Sequence, residues 1–223
     1  MAKVLVISGG SSGIGKSTAS LFAERGWRVF ELIRHGVSAD GITHVTCDVT
    51  SEESCQDAVA QVLKQTDRID VFISNAGFGI SGAVEFTDMK EAERQMDVNF
   101  LGAVRLTQAV LPQLRQQRSG RIIYTSSVAA VLAVPYQAFY SASKAAINAL
   151  ALALANEVRE FGITVSVMMP GDVSTGFTDA RSKSTAGEEV YTHAAKAVSS
   201  MEKDERGGMQ PIQMAKLFYH IAT

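Results

Sequence analysis

The chain is poor in the residues that announce metal, redox or secreted chemistry. It has two cysteines, Cys47 and Cys55, eight positions apart, with no CxxC pattern and no third ligand nearby. A disulfide or a zinc site is therefore not expected, and both thiols read as buried or idle. The four histidines, His35, His44, His193 and His220, form no spaced pair. That leaves neither a metal constellation nor a Ser-His-Asp arrangement. Excess charge is missing too: 21 Lys+Arg stand against 23 Asp+Glu, for a net charge of −2, and the basic residues are scattered. Nucleic acid and anionic membrane surfaces are disfavoured as partners. The opening MAKVLVISGG carries an apolar stretch that stops at glycines. It is too brief for a secretory h-region or a membrane span, and reads as the first strand of a cytoplasmic protein. Small-molecule partners remain.

What is present is a chain of 223 residues, 46% hydrophobic, without internal repeats. That is the profile of one domain with one sizeable core. Six short β-branched runs, KVLVIS, RVFELI, ITHVTC, IDVFIS, RIIYTS and ITVSVMM, alternate with stretches of helical period. The alternation predicts an α/β fold, a doubly wound parallel sheet with helices on both faces. Thr50-Ser-Glu-Glu53 reads as a capping box, with Cys55, Ala58, Val59 and Val62 at helical spacing behind it. One long helix is expected over Asp88 to Leu114, with Pro112 near its last turn, and another from Ser141 to Phe161, stopped at Gly162. The small residues Ala142, Ala145, Ala146 and Ala149 suit close packing, on the sheet in preference to a subunit contact. Residues 172–209 are polar, Ser-rich and weakly periodic, and read as a mobile insertion over the site. Pro211 opens a last amphipathic helix.

The stretch Ser8 to Thr18, SGGSSGIGKST, fits two phosphate-binding patterns. Gly10-x-x-x-x-Gly15-Lys16-Ser17 satisfies a P-loop, and Asp48 at the end of ITHVTCD imitates its magnesium ligand. Gly9-x-x-x-Gly13-x-Gly15 is a dinucleotide-type turn. In both, glycines let backbone N–H groups approach phosphate oxygens at a helix N-terminus. The familiar G-x-G-x-x-G fingerprint is absent. Farther on, Ser127 ends a strand, Tyr140 follows thirteen residues later, and Lys144 lies one helical turn beyond it. Tyrosine and lysine are then neighbours on one face. A free phenol titrates near pH 10, and an adjacent ammonium lowers that.

Taken together, these motifs closely resemble the classical short-chain dehydrogenase/reductase family, from Val4 to about Val173. Ser8, Gly9, Ser11, Ser12, Gly13, Ile14 and Gly15 are similar to its cofactor turn, with serine at position 8 where threonine is commoner. Asp48-Val49 resembles the pair near the adenine and Asn75-Ala76-Gly77 the motif after the fourth strand. Pro170-Gly171, with Val173 and Thr175, resembles the segment that contacts the nicotinamide and its phosphates. Asn99, Ser127, Tyr140 and Lys144 match the catalytic tetrad, and Tyr140 and Lys144 also count as cofactor contacts. On this likeness the P-loop match is a coincidence of glycine spacing.

The resemblance implies hydride transfer between a nicotinamide and a carbonyl or secondary alcohol. Tyr140 would be the acid and Ser127 the group that holds the carbonyl oxygen. Lys144 would bind the ribose and depress the tyrosine, and Asn99 would hold a water leading to solvent. Ile33 stands where users of NAD commonly place an acid, and Arg34 follows, which favours NADP(H) and leaves NAD(H) open. Phe78, Ile80, Val128, Val134, Tyr136, Phe139 and Phe177 suggest an apolar substrate such as a lipid-like, steroid-like or acyl-chain carbonyl compound. The nearest branch by likeness holds steroid and retinol dehydrogenase-like and 3-oxoacyl reductase-like proteins. The family's seventh strand is not evident before Thr223. A homodimer or homotetramer is compatible with the likeness, as is a non-catalytic dinucleotide sensor. No metal site is expected.

Overall fold

The computed structural model describes residues 2–38 and 40–223. Their element order is β1 (Val4–Ser8), α1 (Gly13–Glu24), β2 (Arg28–Ile33), β3 (Ile42–Thr46), α2 (Glu52–Leu63), β4 (Val71–Ser74), β5 (Ile80–Ser81), α3 (Met89–Met96), α4 (Gly102–Gln117), β6 (Gly120–Thr125), α5 (Ala138–Glu157), β7 (Ile163–Met168), α6 (Phe177–Ala180), β8 (Ser182–Lys183), α7 (Ala194–Arg206) and α8 (Pro211–Ala222). All six strands expected from the sequence pair in parallel, in the order β3-β2-β1-β4-β6-β7. No seventh strand joins them among the described residues.

The strands are apolar throughout because both faces are covered. Alternate residues of one strand enter different cores: Val4 and Val6 pack under α2, α4 and α5, whereas Leu5 and Ile7 pack under α1 and α8. The chain leaves β1 toward β2 and β3, then returns beside β1 with β4 and proceeds outward the other way. This reversal opens a crevice at the carboxyl ends of β1 and β4, the usual ligand position in open α/β sheets.

Several local expectations need correction. The cap of α2 is Ser51, one residue later than expected, and its hydroxyl accepts from Ser54 N at 3.2 Å. The long central helix is continuous from Met89 to Gln117, but residues 97–101 form a π turn and Pro112 lies inside α4. Helix α5 begins three residues early, at Ala138, so Tyr140 sits in its first turn, and it ends at Glu157 before a short 3₁₀ turn and Gly162. Ala142, Ala145 and Ala149 face outward. The sheet is met instead by Ile147, Ala151 and Leu154, because Ser143 and Lys144 take the buried face near the site. This apolar helix is long enough to cross a bilayer by length and composition, but its buried stripe belongs to the sheet core.

Residues 172–209 are more regular than their composition suggests. The segment leaves and returns at one point, where Val173 bridges Met209, and it carries α6, β8 and the 13-residue α7. β8 pairs with β5, which ties the excursion to the loop after β4. Cys47 and Cys55 are free and buried, and the Cys55 thiol donates to Asp48 O at 3.7 Å.

Helix α8 closes one face of the sheet with Met214, Ala215, Phe218 and Ala222, and Phe218 is fully buried. Phe218→Ala is expected to lower unfolding stability by about 3–5 kcal/mol through lost burial and a residual cavity. Urea titration measures this, and a loss below about 1 kcal/mol would mean that α8 is not integral to the core.

Candidate active site

The crevice is built from the turn after β1. Ser8 is fully buried, and its hydroxyl accepts from Asn75 N at 3.0 Å and Ala76 N at 3.1 Å. Asn75 Nδ2 donates to Gly9 O at 3.0 Å, and Asn75 Oδ1 accepts from Thr125 Oγ1 at 3.2 Å. The ends of β1, β4 and β6 are thereby laced together. Glycine is required where these segments close up: a Cβ on Gly15 would lie 2.1 Å from Gly9 O. Gly9, at φ +67°, would clash similarly with Ala76.

A cavity of about 1510 Å³ runs along the carboxyl ends of the strands. It exceeds the roughly 300–1,000 Å³ of a single small-ligand pocket, so a dinucleotide and a substrate fit together. Ser12 precedes α1 without a side-chain hydrogen bond, and the first turn of that helix has no acidic residue. Ser12, Gly13 and Ile14 line the cavity, so the helix presents free N–H groups and its positive end to it. That is the donor set a pyrophosphate needs. Arg34, exposed, lines the cavity just past β2, where its charge helps keep Asp48 below the usual carboxylate range, behind the larger effect of hydrogen bonds from Thr50. Lys16 is exposed, lies outside the cavity lining and faces Glu31. A P-loop lysine would reach into the phosphate site, so the P-loop reading fails on geometry.

Three of the four tetrad residues reach the cavity: Ser127, Tyr140 and Lys144. Ser127 leaves β6 in extended conformation, and its Oγ accepts from Ala129 N at 3.1 Å. Burial pushes the Tyr140 phenol up to about 12, against a smaller lowering by Ser127. Lys144 is buried, which brings its ammonium down to about 8. Its Nζ donates to Thr125 O at 2.8 Å and stands 5.7 Å from the Tyr140 ring centre. The expected depression of the tyrosine by the lysine is therefore not realised in this arrangement: desolvation outweighs it, and the ammonium is turned toward a strand carbonyl. Tyr124 is also raised to about 12, but it is sealed in the core against Thr107 and has no access to the cavity.

Asn99 does not line the cavity. It sits in the π turn, 2% exposed, and its amide is committed: Oδ1 accepts from Phe78 N at 3.0 Å, while Nδ2 donates to Phe78 O at 2.9 Å and to Ser143 Oγ at 3.1 Å. The side chain clasps the loop after β4 and ties it to α5. Gln95, one turn earlier and fully buried, donates to the same carbonyl at 2.7 Å; its amide among charged helix residues gave no signal in the sequence.

Of the remaining expected contacts, Asp48, Val49, Ala76, Gly77, Pro170 and Gly171 line the cavity, together with Val173, Thr175 and Ser11. Ser8 and Gly15 act from behind it. Among the apolar residues, Phe78, Val128, Val134, Phe139 and Phe177 line it, but Ile80 and Tyr136 do not: Ile80 is buried in β5, and Tyr136 stacks edge-on to Tyr191. Phe177 lies beside Tyr140, with ring centres 5.7 Å apart. Sequence reasoning missed Glu205 and Met201, which reach the cavity from α7, because nothing local marks a helix of an insertion as facing the site.

The family model of the short chain dehydrogenases matches residues 3–186. This chain belongs to the short-chain dehydrogenase/reductase family. A 3-ketodihydrosphingosine reductase of Bacteroides thetaiotaomicron is 42% identical over 94% of this chain and 79% of its own length. The dehydrogenase/reductase SDR family member 7B of Danio rerio is 32% identical over 96% of this chain and 72% of its own. Among solved structures, a short-chain dehydrogenase from Streptomyces avermitilis superposes with a TM-score of 0.88 at 32% identity, over 99% of this chain and 83% of that one. The chain is accordingly an NAD(P)-dependent oxidoreductase acting between CH–OH and C=O groups, which matches the cavity and its donor set.

The lacing at Ser8 has a measurable consequence. Ser8→Ala leaves two buried N–H groups without their acceptor and is expected to cost about 1–3 kcal/mol of stability. It should weaken nicotinamide dinucleotide binding in parallel; unchanged values in both denaturant melts and cofactor titration would contradict this account of the turn.

Proposed function

We propose that this short-chain dehydrogenase/reductase is an NADP(H)-dependent reductase of hydrophobic ketones, with Tyr140 as proton donor. The observation that carries the reading is the convergence of Ser127, Tyr140 and Lys144 on the same cavity as the uncapped start of α1. The nicotinamide, when bound, supplies the hydride. Tyr140, held well above neutrality by burial, keeps its proton at physiological pH and delivers it to the carbonyl oxygen. Ser127, which lines the same cavity, aligns that oxygen. Lys144, cationic at neutral pH and 5.7 Å from the centre of the phenol ring, would donate to the nicotinamide ribose hydroxyls, the role the family resemblance implies.

Preference for NADP(H) rests on Arg34 at the cavity edge and on Ile33 where an acid would suit the ribose 2′-hydroxyl; a guanidinium suits a 2′-phosphate. The apolar lining by Phe78, Val134, Phe139 and Phe177 supports a long or bulky apolar substrate, as does the name of the Bacteroides relative. Residues 172–209 act as the lid over it. A dinucleotide sensor has no use for the complete set of Ser127, Tyr140 and Lys144, so catalysis is the preferred reading. The enzyme works in the cytoplasm.

Tyr140→Phe tests the acid directly. It should lower kcat for ketone reduction by about 10²–10⁴-fold, far more than it weakens NADPH binding; near-normal turnover would remove Tyr140 from this role. The lysine sets the pH dependence. With its amine brought down to about 8 by burial, Lys144 is charged below that pH and neutral above it, while Tyr140 stays protonated throughout. The kcat/KM for reduction should therefore be level from pH 6 to about 7 and fall through about pH 8, approaching tenfold per further unit. A flat profile to pH 10 would contradict the role of Lys144.

A further inference from the structure

The lid contains a buried cation that the reaction chemistry does not use. Arg181, between α6 and β8, has a side chain with no solvent exposure. Its Nη2 lies 2.5 Å from Glu205 Oε1 and its Nη1 3.8 Å from Glu202 Oε1, both carboxylates on α7. Gln137 is 4% exposed and immediately precedes α5, three residues before Tyr140. With its amide oxygen toward the guanidinium, it accepts from Arg181 Nε at 3.3 Å and Nη2 at 3.1 Å. That orientation gives Arg181 Nε and Nη2 a neutral acceptor and leaves Nη1 to the Glu202 carboxylate alone. The guanidinium also lies 5.5 Å from the ring centre of Phe177, the residue beside Tyr140.

We propose that Arg181 is a positioning residue for ketone reduction, joining the lid helix α7 to the start of the catalytic helix α5 and thereby seating Phe177 beside Tyr140. Three separate segments supply its partners, and they converge only when the lid lies closed. A buried guanidinium without partners is strongly unfavourable, so the closed arrangement is held by this cluster as a unit. Thr178 Oγ1 donates to Glu205 Oε2 at 2.7 Å, Lys183 Nζ lies 2.6 Å from Glu202 Oε1, and Arg206 Nη1 lies 3.6 Å from Glu202 Oε2. These contacts orient the carboxylates toward Arg181. Gly79 makes room: a Cβ there would stand 3.1 Å from Phe177 and 3.4 Å from Arg181 Nε. Glu205 lines the cavity, so opening the lid to admit a substrate breaks the cluster, and closing it restores the apolar wall against the acid.

This inference rests on the proposed reductase reading for its kinetic arm only. Arg181→Met, Arg181→Lys and Glu205→Gln are compared with the unaltered protein by amide hydrogen exchange without ligand, by NADPH titration, and by steady-state reduction of a long-chain 3-ketone. In Arg181→Met, exchange across Ala194–Arg206 should rise by about tenfold or more. The KM for the ketone should rise by a similar factor while NADPH affinity holds within about twofold. Arg181→Lys should recover part of both effects, and Glu205→Gln should fall between. Unchanged exchange and KM in Arg181→Met would overturn the proposal, as would a loss of NADPH binding in step with ketone turnover in all three variants. If the unaltered protein reduces no ketone, the reductase reading fails, and the exchange data alone decide the role of Arg181.

Discussion

The site depends on how closely the chain can fold back on itself at the end of β1. Gly15 passes so near the Gly9 carbonyl that a methyl group has no room, and the Ser8 hydroxyl meets two amides of the segment after β4. This junction joins the two halves of the sheet where the strand order reverses. It also fixes the start of α1, whose uncapped N–H groups face the cavity. Phosphate affinity here is thus a property of backbone geometry more than of side-chain charge, consistent with a chain of nearly neutral composition.

At the other end of the cavity, burial is the controlling quantity. It raises Tyr140 and lowers Lys144, so that one group holds a proton firmly while the other keeps its charge only up to about pH 8. At neutral pH one group therefore carries a proton and the other a charge. Phe177 lies beside Tyr140 and is itself met by Arg181, so residues 172–209 contribute to the burial that sets the phenol.

The sheet, its strands and most of the cavity lining were legible in the sequence, because strand periodicity and glycine spacing are local signals. The tetrad was legible only as a set, since a tyrosine and a lysine one turn apart are common on any helix. Distance in the chain hid other things. The side chain of Asn99 is turned to the Phe78 backbone by a π turn that no residue type announces. The alanines of α5 face outward because the serine and lysine beside them are drawn inward by the site. Arg181 and Glu205 look like solvated charges in a polar insertion, and their burial arises from contacts between segments far apart in sequence.

The central claim is that this cavity holds a nicotinamide dinucleotide with a 2′-phosphate against Arg34. Fluorescence titration of the purified protein with NADPH, in parallel with NADH and magnesium ATP, tests it most directly. The account predicts binding of NADPH at least about tenfold tighter than NADH, corresponding to one charge-assisted contact, and no response to ATP. Equal affinity for the two nicotinamides would contradict the role of Arg34, and binding of ATP alone would contradict the whole reading of the glycine turn.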